Sequence, residues 1–109
     1  MNTQAQPEII GVGFGLANID GTVTIVYVVP GTPASRADLS PGLIVQKIDE
    51  VATNGMQEKD WRQKLRGEVG TKVSLVVTTP AKDQTSLVEL VRESFILPAE
   101  LPASAVLRT

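Results

Sequence analysis

The chain has 109 residues, the length of one ordinary domain, and 42% of them are hydrophobic, so folding can form one core without covalent links. It contains no cysteine and no histidine, which excludes a disulfide framework and thiolate metal sites and removes the commonest general base. The formal net charge is −2, no apolar run approaches the ~20 residues of a membrane span, and no signal peptide is visible, so the sequence predicts no nucleic-acid partner, no membrane insertion, no metal site and no cofactor.

The first part of the chain predicts a lead-in followed by a β-hairpin. Residues 1–7 are polar and end in Pro7, which predicts a disordered lead-in, and residues 8–19 form a β-like apolar run interrupted by glycines. Asp20-Gly21 is a strong two-residue hairpin signal, because both residues tolerate a positive φ. The segment "TVTIVYVV" that follows predicts a strand over residues 22–29. Its period of two puts four residues on one face: Val23, Ile25, Tyr27 and Val29.

A turn cluster, a short helix and a strand come next. "PGTP" ends the preceding strand, and Thr32 before Pro33 is a suitable N-cap with proline at the first helical position. "PASRAD" then predicts one or two helical turns. "LSPG" breaks the chain again, and "LIVQKID" predicts a strand over residues 43–49.

The segment "NGMQEKDWRQKLRGEVG" predicts the longer helix. We expect it to start at Asn54 or Gly55 and to end at Gly67. Its apolar stripe is thin, so the helix should lie at the edge of a sheet rather than inside a core. The stripe consists of Met56, Trp61 and Leu65.

The last predicted elements are two antiparallel strands and a tail. "TKVSLVVTT" (71–79) has Val73, Leu75 and Val77 on one face, "PAKDQ" turns the chain, and "TSLVELVRE" (85–93) returns. Residues 97–109 hold two prolines and no clear period, which predicts a linker or tail. The elements together predict one small α+β domain over residues 8–96, with a mostly antiparallel partial barrel.

The glycine-rich segment "GVGFG" (Gly11–Gly15) is the most informative motif. Nucleotide binding is disfavoured, because a phosphate loop must lead into a helix and this segment leads into a hairpin. Two interpretations remain. The glycines relieve crowding at the entry to a strand, or they form a nest of outward-facing amides that holds the terminal carboxylate of a peptide docked on the following strand.

The same segment resembles a known family. "GVGF" is similar to the carboxylate-binding loop of PDZ domains, and "VVPGTPASRADLSPGLIVQKIDEVATNGM" is similar in its order of turns, helix and strands to the segment that follows that loop. "LRGEVGTKVSLVV" resembles the corresponding part of PDZ domains in carboxyl-terminal processing (tail-specific) proteases. The resemblance covers residues 8–93 and implies a PDZ-like partial antiparallel β-barrel of about five to six strands with one short and one longer helix.

The resemblance also implies a binding site. The amides of Val12, Gly13 and Phe14 would surround a ligand carboxylate, and Phe14, Leu16 and Leu65 would line the pocket for the last ligand side chain, although each of these three is equally suited to the core. The implied carboxylate loop is Gly11, Val12, Gly13 and Phe14, and the implied groove residues are Gly15, Leu16, Ala17, Asn18, Glu58, Arg62 and Leu65.

Two features of the helix bear on this site. Glu58 and Arg62 are four residues apart on one face of the helix. They form an exposed ion pair that contributes little to stability, or Glu58 accepts a hydrogen bond from, or favours a cation at, the third residue from the ligand terminus. We expect Trp61 to pack on the sheet. The sequence departs from the family pattern at Leu43, where Asp is usual, and at Glu50, where glycine is usual.

No nucleophile–base arrangement is recognisable, so the chain is expected to have no catalytic residues. The leading hypothesis is a peptide-binding module that recognises C-terminal or unfolded peptide segments by β-augmentation and serves an adjacent protease domain on the same parent chain. The alternatives are a scaffolding domain of a non-protease cell-envelope protein and a structural domain whose groove is filled by residues 97–109. We expect a monomer, and the resemblance implies the bacterial cell envelope or periplasm.

Overall fold

The computed structural model describes residues 8–96. The lead-in predicted for residues 1–7 and the linker predicted for residues 97–109 lie outside this range. Within it, the chain forms a mostly antiparallel, open sheet with two helices, which confirms the predicted fold class. The elements are β1 (Glu8–Gly11), β2 (Phe14–Ile19), β3 (Thr22–Val28), α1 (Pro33–Arg36), β4 (Ile44–Ile48), β5 (Val51–Ala52), α2 (Glu58–Leu65), β6 (Lys72–Thr78), β7 (Thr85–Val91) and β8 (Glu93–Ile96).

The main sheet has the order β2-β3-β4-β6-β7, with the short β5 paired to β4. Strands β1 and β8 form a separate two-stranded ribbon in which Glu8 is opposite Ile96. The predicted hairpin at Asp20-Gly21 is present, and both residues have a positive φ (52° and 84°). A bulge in β3 leaves Val26 without an opposite residue on β2, because Gly15 is opposite Tyr27 and Leu16 is opposite Ile25.

The core lies between the inner face of this sheet and the two helices. As the period-two pattern predicted, the inner residues of β3 and β6 are almost fully buried, whereas Tyr27, beyond the bulge, is only half-buried. Trp61 is 5% exposed and belongs to the core, as expected. The core residues on these elements are Val23, Ile25, Val45, Ile48, Trp61, Val73, Leu75, Val77 and Leu90.

The longer helix begins later than the sequence predicted. It starts at Glu58 rather than at Asn54 or Gly55, because Gly55 has φ +84° and the Met56 amide donates to the Thr53 carbonyl in a turn that precedes the helix. The true start is marked by Asp60, whose carboxylate accepts a hydrogen bond from the Gln57 amide (2.9 Å). The last helical residue is Leu65, two residues before the predicted end at Gly67.

Three further positions refine the sequence-based interpretation. Thr32 is the N-cap of α1, but its hydroxyl donates to the Val29 carbonyl (2.7 Å) and not into the helix. Glu50, at the position where the family usually has glycine, has φ +71° in the turn between β4 and β5, a conformation that is unfavourable for a residue with a Cβ. Leu43 packs against the core.

Arg92 separates β7 from β8, which divides the single return strand predicted for residues 85–93. Its side chain is 6% exposed and lies at the end of α2. The guanidinium donates to the carbonyls of Leu65 (2.8 Å) and Lys64 (3.0 Å). It also donates to the Thr71 hydroxyl (2.9 Å) and to the Lys72 carbonyl (3.1 Å). This one side chain therefore fixes the C-terminus of α2 to the start of β6.

Candidate functional site

The glycine loop between β1 and β2 is held by its carbonyl groups. The Val12 carbonyl accepts from the Ala34 amide and the Gly13 carbonyl accepts from the Val29 amide, both at 2.8 Å. Gly13 has φ +97°, and a Cβ there would lie 2.0 Å from the Thr32 hydroxyl oxygen, so only glycine fits. Neither Val12 nor Gly13 uses its amide N–H in a hydrogen bond with any of residues 8–96. The loop therefore has two amide donors available for a ligand, whereas its two carbonyl acceptors already have hydrogen bonds.

Among residues 8–96, the strand that follows the loop is an edge strand of the main sheet. Ile25, opposite Leu16, donates its N–H to the Leu43 carbonyl and accepts from the Gly42 amide, both at 2.8 Å on the β4 side. Opposite residues in an antiparallel pair alternate between exchanging hydrogen bonds and making none. The backbone groups of Leu16 are consequently directed away from β3, and the same alternation directs those of Phe14 and Asn18 to that free edge.

Helix α2 faces this free edge across two adjoining cavities. We call them the loop cavity, of about 350 Å³, and the strand cavity, of about 490 Å³, and they share Leu16, Glu58 and Trp61. Leu65 lines the loop cavity together with the glycine loop, whereas the start of α2 lines the strand cavity together with Ala17 and Asn18. Helix α2 therefore runs antiparallel to β2, with its C-terminus beside the loop.

All eleven residues implied by the resemblance line these two cavities. Phe14, Leu16 and Leu65 are half-buried and pack against the core, so each contributes both to the core and to a cavity wall. Glu58 and Arg62 form an exposed i,i+4 ion pair on the helix side. The loop cavity contains Gly11, Val12, Gly13, Phe14, Gly15, Leu16, Glu58, Arg62 and Leu65, and the strand cavity adds Ala17 and Asn18.

The cavities also contain residues that the sequence analysis did not single out for binding. Tyr27 lies so close to Gly15 that a Cβ on Gly15 would be 2.1 Å from its ring, so the third glycine of the GVGFG segment makes room for this side chain. Arg66 continues the spacing of four from Glu58 and Arg62, a signal that was present in the sequence. Ile9, Ile10 and Phe95 come from the ribbon, whose pairing no local pattern indicated. The additional lining residues are Ile9, Ile10, Tyr27, Met56, Gln57, Trp61, Arg66 and Phe95.

Two classes of site are not found in the part of the chain that the structure describes. Residues 8–96 contain no group of three or more Asp and Glu side chains placed to hold a metal ion. None of the helices in the same range is long and apolar enough to cross a membrane.

Comparison with known proteins identifies the class to which this fold and groove belong. The sequence model of the PDZ domain matches residues 24–79, half of the chain, so the chain belongs to the PDZ domain family. Within that family, the similarity is to the PDZ domains of carboxyl-terminal processing proteases.

The individual relatives agree with this assignment. The chain is 30% identical over 99 residues to the chloroplastic carboxyl-terminal-processing peptidase 2 of Arabidopsis thaliana and 29% identical over 93 residues to the carboxyl-terminal-processing protease of Picosynechococcus sp.. These matches cover 85% and 83% of the chain but only 19% and 22% of the relatives, so the chain spans about a fifth of their length.

A solved structure that consists of a PDZ domain without the rest of its protease is similar to this chain. It is the PDZ domain of the carboxy-terminal protease of Vibrio cholerae, determined in complex with a peptide. The TM-score is 0.76 at 28% sequence identity, and the match covers 84% of this chain and all of that one.

Proposed function

We propose that residues 8–96 bind an extended peptide segment that adds as a new strand to β2, with the peptide's terminal carboxylate held by the glycine loop. The observation that carries the proposal is the free edge of β2, which ends at a loop whose amides at Val12 and Gly13 are unbonded within residues 8–96. Main-chain pairing would supply much of the affinity, and the two cavities would supply selectivity. The peptide bound to the PDZ domain from Vibrio cholerae supports the same ligand class.

The loop cavity is proposed to hold the last side chain of the ligand. Phe14, Leu16 and Leu65 present apolar surface there, so an apolar terminal residue should be preferred. The strand cavity lies at the start of α2 and is lined by Glu58 and Asn18. Glu58 is therefore proposed to accept a hydrogen bond from, or favour a cation at, the third residue from the ligand terminus.

On its parent chain the domain is proposed to recognise substrate for, or to regulate, a serine protease with a Ser/Lys dyad outside this segment. The supporting finding is that the curated relatives are carboxyl-terminal processing peptidases in which the matched region is about a fifth of the length. We also propose the bacterial cell envelope as the compartment. Fractionation of cells that produce the full parent chain tests this, and an exclusively cytosolic location would contradict it.

Binding of short peptides is expected to be weak, with Kd on the order of 1–100 μM, or roughly −8 to −5 kcal/mol. The test is a titration of the labelled chain, followed by amide chemical shifts, with hexapeptides ending in Val, Leu or Phe as free acids and as C-terminal amides. Amidation removes the terminal charge and with it the charge-assisted hydrogen bonds to the loop, so the amides should bind more weakly. Shifts should concentrate in residues 11–19 and 57–66.

Two results would count against this proposal. Equal affinity for the free acids and the amides would mean that the loop is not a carboxylate site and would favour recognition of internal segments. Shifts that map away from both ranges would contradict the assignment of the groove itself.

The chain alone is expected to hydrolyse no peptide, because it has no histidine and no recognisable nucleophile–base pair. The measurement is release of fragments from labelled casein by the purified chain. Turnover that a single serine substitution abolishes would contradict this expectation.

A further inference from the structure

The charges that line the groove are unevenly distributed. Among residues 8–96, the charged side chains that line either cavity are Glu58, Arg62 and Arg66. Arg62 is paired with Glu58. The side chain of Arg66 makes neither an ion pair nor a hydrogen bond within the same range, and Arg66 lines the loop cavity together with Val12 and Gly13 of the glycine loop. One uncompensated cation therefore lies at the end of the groove where the loop is.

The position of α2 makes this cation important for an anionic ligand. The C-terminus of a helix carries a partial negative charge, and here that end lies beside the loop and would disfavour a carboxylate. Arg92 donates hydrogen bonds to the carbonyls of Lys64 and Leu65 from the buried side, and its positive charge offsets part of this negative charge. Arg66 is the exposed cation at the same helix end, on the side of the ligand.

We propose that Arg66 is the second half of the carboxylate site and binds the terminal carboxylate of the peptide from the helix side while the loop amides bind it from the strand side. This inference rests on the proposed function. It adds that Arg66, the residue directly after α2 and the uncompensated cation of the groove, sets the direction of the peptide in the groove. The Glu58 charge is offset by Arg62, so the net attraction for a carboxylate lies at the Arg66 end of the groove.

The test compares wild type with Arg66→Gln and Arg66→Lys, using the tightest of the hexapeptides above as free acid and as amide. For Arg66→Gln, Kd for the free acid should rise by about three- to tenfold, while Kd for the amide should change by less than about twofold. Arg66→Lys should recover part of the loss because it keeps the charge. The difference between wild type and Arg66→Gln should shrink at high salt, since the interaction is partly exposed.

Lys59→Gln is the matched control, because it removes a cation from an exposed position of the same helix that lines neither cavity. It should leave the ratio of the two affinities unchanged. Unchanged melting temperatures of the variants, measured in parallel, show that the fold is retained, as expected for exposed positions.

The outcomes separate this inference from the proposed function. If wild type prefers the free acid and Arg66→Gln keeps the same preference, Arg66 does not bind the carboxylate and the proposed function stands. An equal loss for acid and amide would likewise overturn the role of Arg66, since it would indicate general damage to the groove. If wild type itself shows no preference for the free acid, the carboxylate site fails, and the inference fails with it.

Discussion

Trp61→Ala is expected to lower the free energy of unfolding by about 3–5 kcal/mol, which is a large part of the stability of a domain of this size. Trp61 is 5% exposed, belongs to the core and also forms a wall shared by the two cavities. Its removal leaves a void that the surrounding side chains fill only in part. The melting temperature should fall by roughly 12 °C or more, measured by calorimetry or circular dichroism.

Two variants on the same helix control for this result. Trp61→Phe keeps an aromatic ring in the cavity wall and should lose clearly less stability than Trp61→Ala. Lys59→Ala introduces the same small residue at an exposed position, where the free energy of unfolding should change by no more than about 0.5 kcal/mol. If the melting temperature of Trp61→Ala equals that of wild type, the indole is exposed. It then belongs to the binding surface and not to the core.

Arg92→Met is expected to cost about 2–4 kcal/mol of stability, although the substitution adds an apolar side chain to a buried site. It removes four hydrogen bonds and leaves the carbonyls of Lys64 and Leu65 without their buried donor. Because those carbonyls form the end of α2, the loss should be accompanied by faster amide hydrogen exchange in the last turn of that helix. The free energy of unfolding is measured by urea unfolding, followed by the fluorescence of Trp61.

Arg36→Met is the matched control for Arg92→Met. Arg36 pairs with Glu93 at an exposed position, and exposed pairs contribute about 0–1 kcal/mol. Arg92→Lys keeps the charge but not the planar set of N–H donors, so its loss of stability should lie between those of Arg36→Met and Arg92→Met. Equal small losses for Arg36→Met and Arg92→Met would show that the hydrogen bonds of Arg92 do not hold the end of α2.

The fold could be predicted because its strongest determinants are local. Asp20-Gly21 specifies a hairpin by its own backbone preferences, and the period-two runs place β3 and β6 to within a residue of their observed bounds. The order of turns between residues 29 and 56 carried the resemblance to PDZ domains, and the match of the family to residues 24–79 confirms it.

The misplaced elements depend on contacts that no local pattern contains. The start of α2 depends on the turn at Met56, and that turn follows from Thr53, whose buried hydroxyl donates to the Val45 carbonyl (2.6 Å). The division of the last strand depends on Arg92, whose partners are 20 to 28 residues away in sequence. A charged residue in "LVRE" gives no sign that its side chain is buried.

The residues of the candidate site were named from the resemblance to PDZ domains, and their role in peptide binding stays a prediction. Phe14, Leu16 and Leu65 could not be divided between core and groove from sequence, because each does both. Phe95 was missed because it reaches the loop cavity only through the pairing of the two ends of the domain, which is the most distant contact in the described chain.

That pairing has a mechanical consequence. Glu8 and Ile96 are opposite each other, so the backbone enters and leaves residues 8–96 at points about 5 Å apart. A force applied between these two points opens the ribbon one residue pair at a time, as a zipper, and does not load all its hydrogen bonds at once. Ile9 and Phe95 line the loop cavity, so the ribbon is both the attachment of the domain and one wall of its groove. Tension between the attachment points would deform the groove before it reached the main sheet.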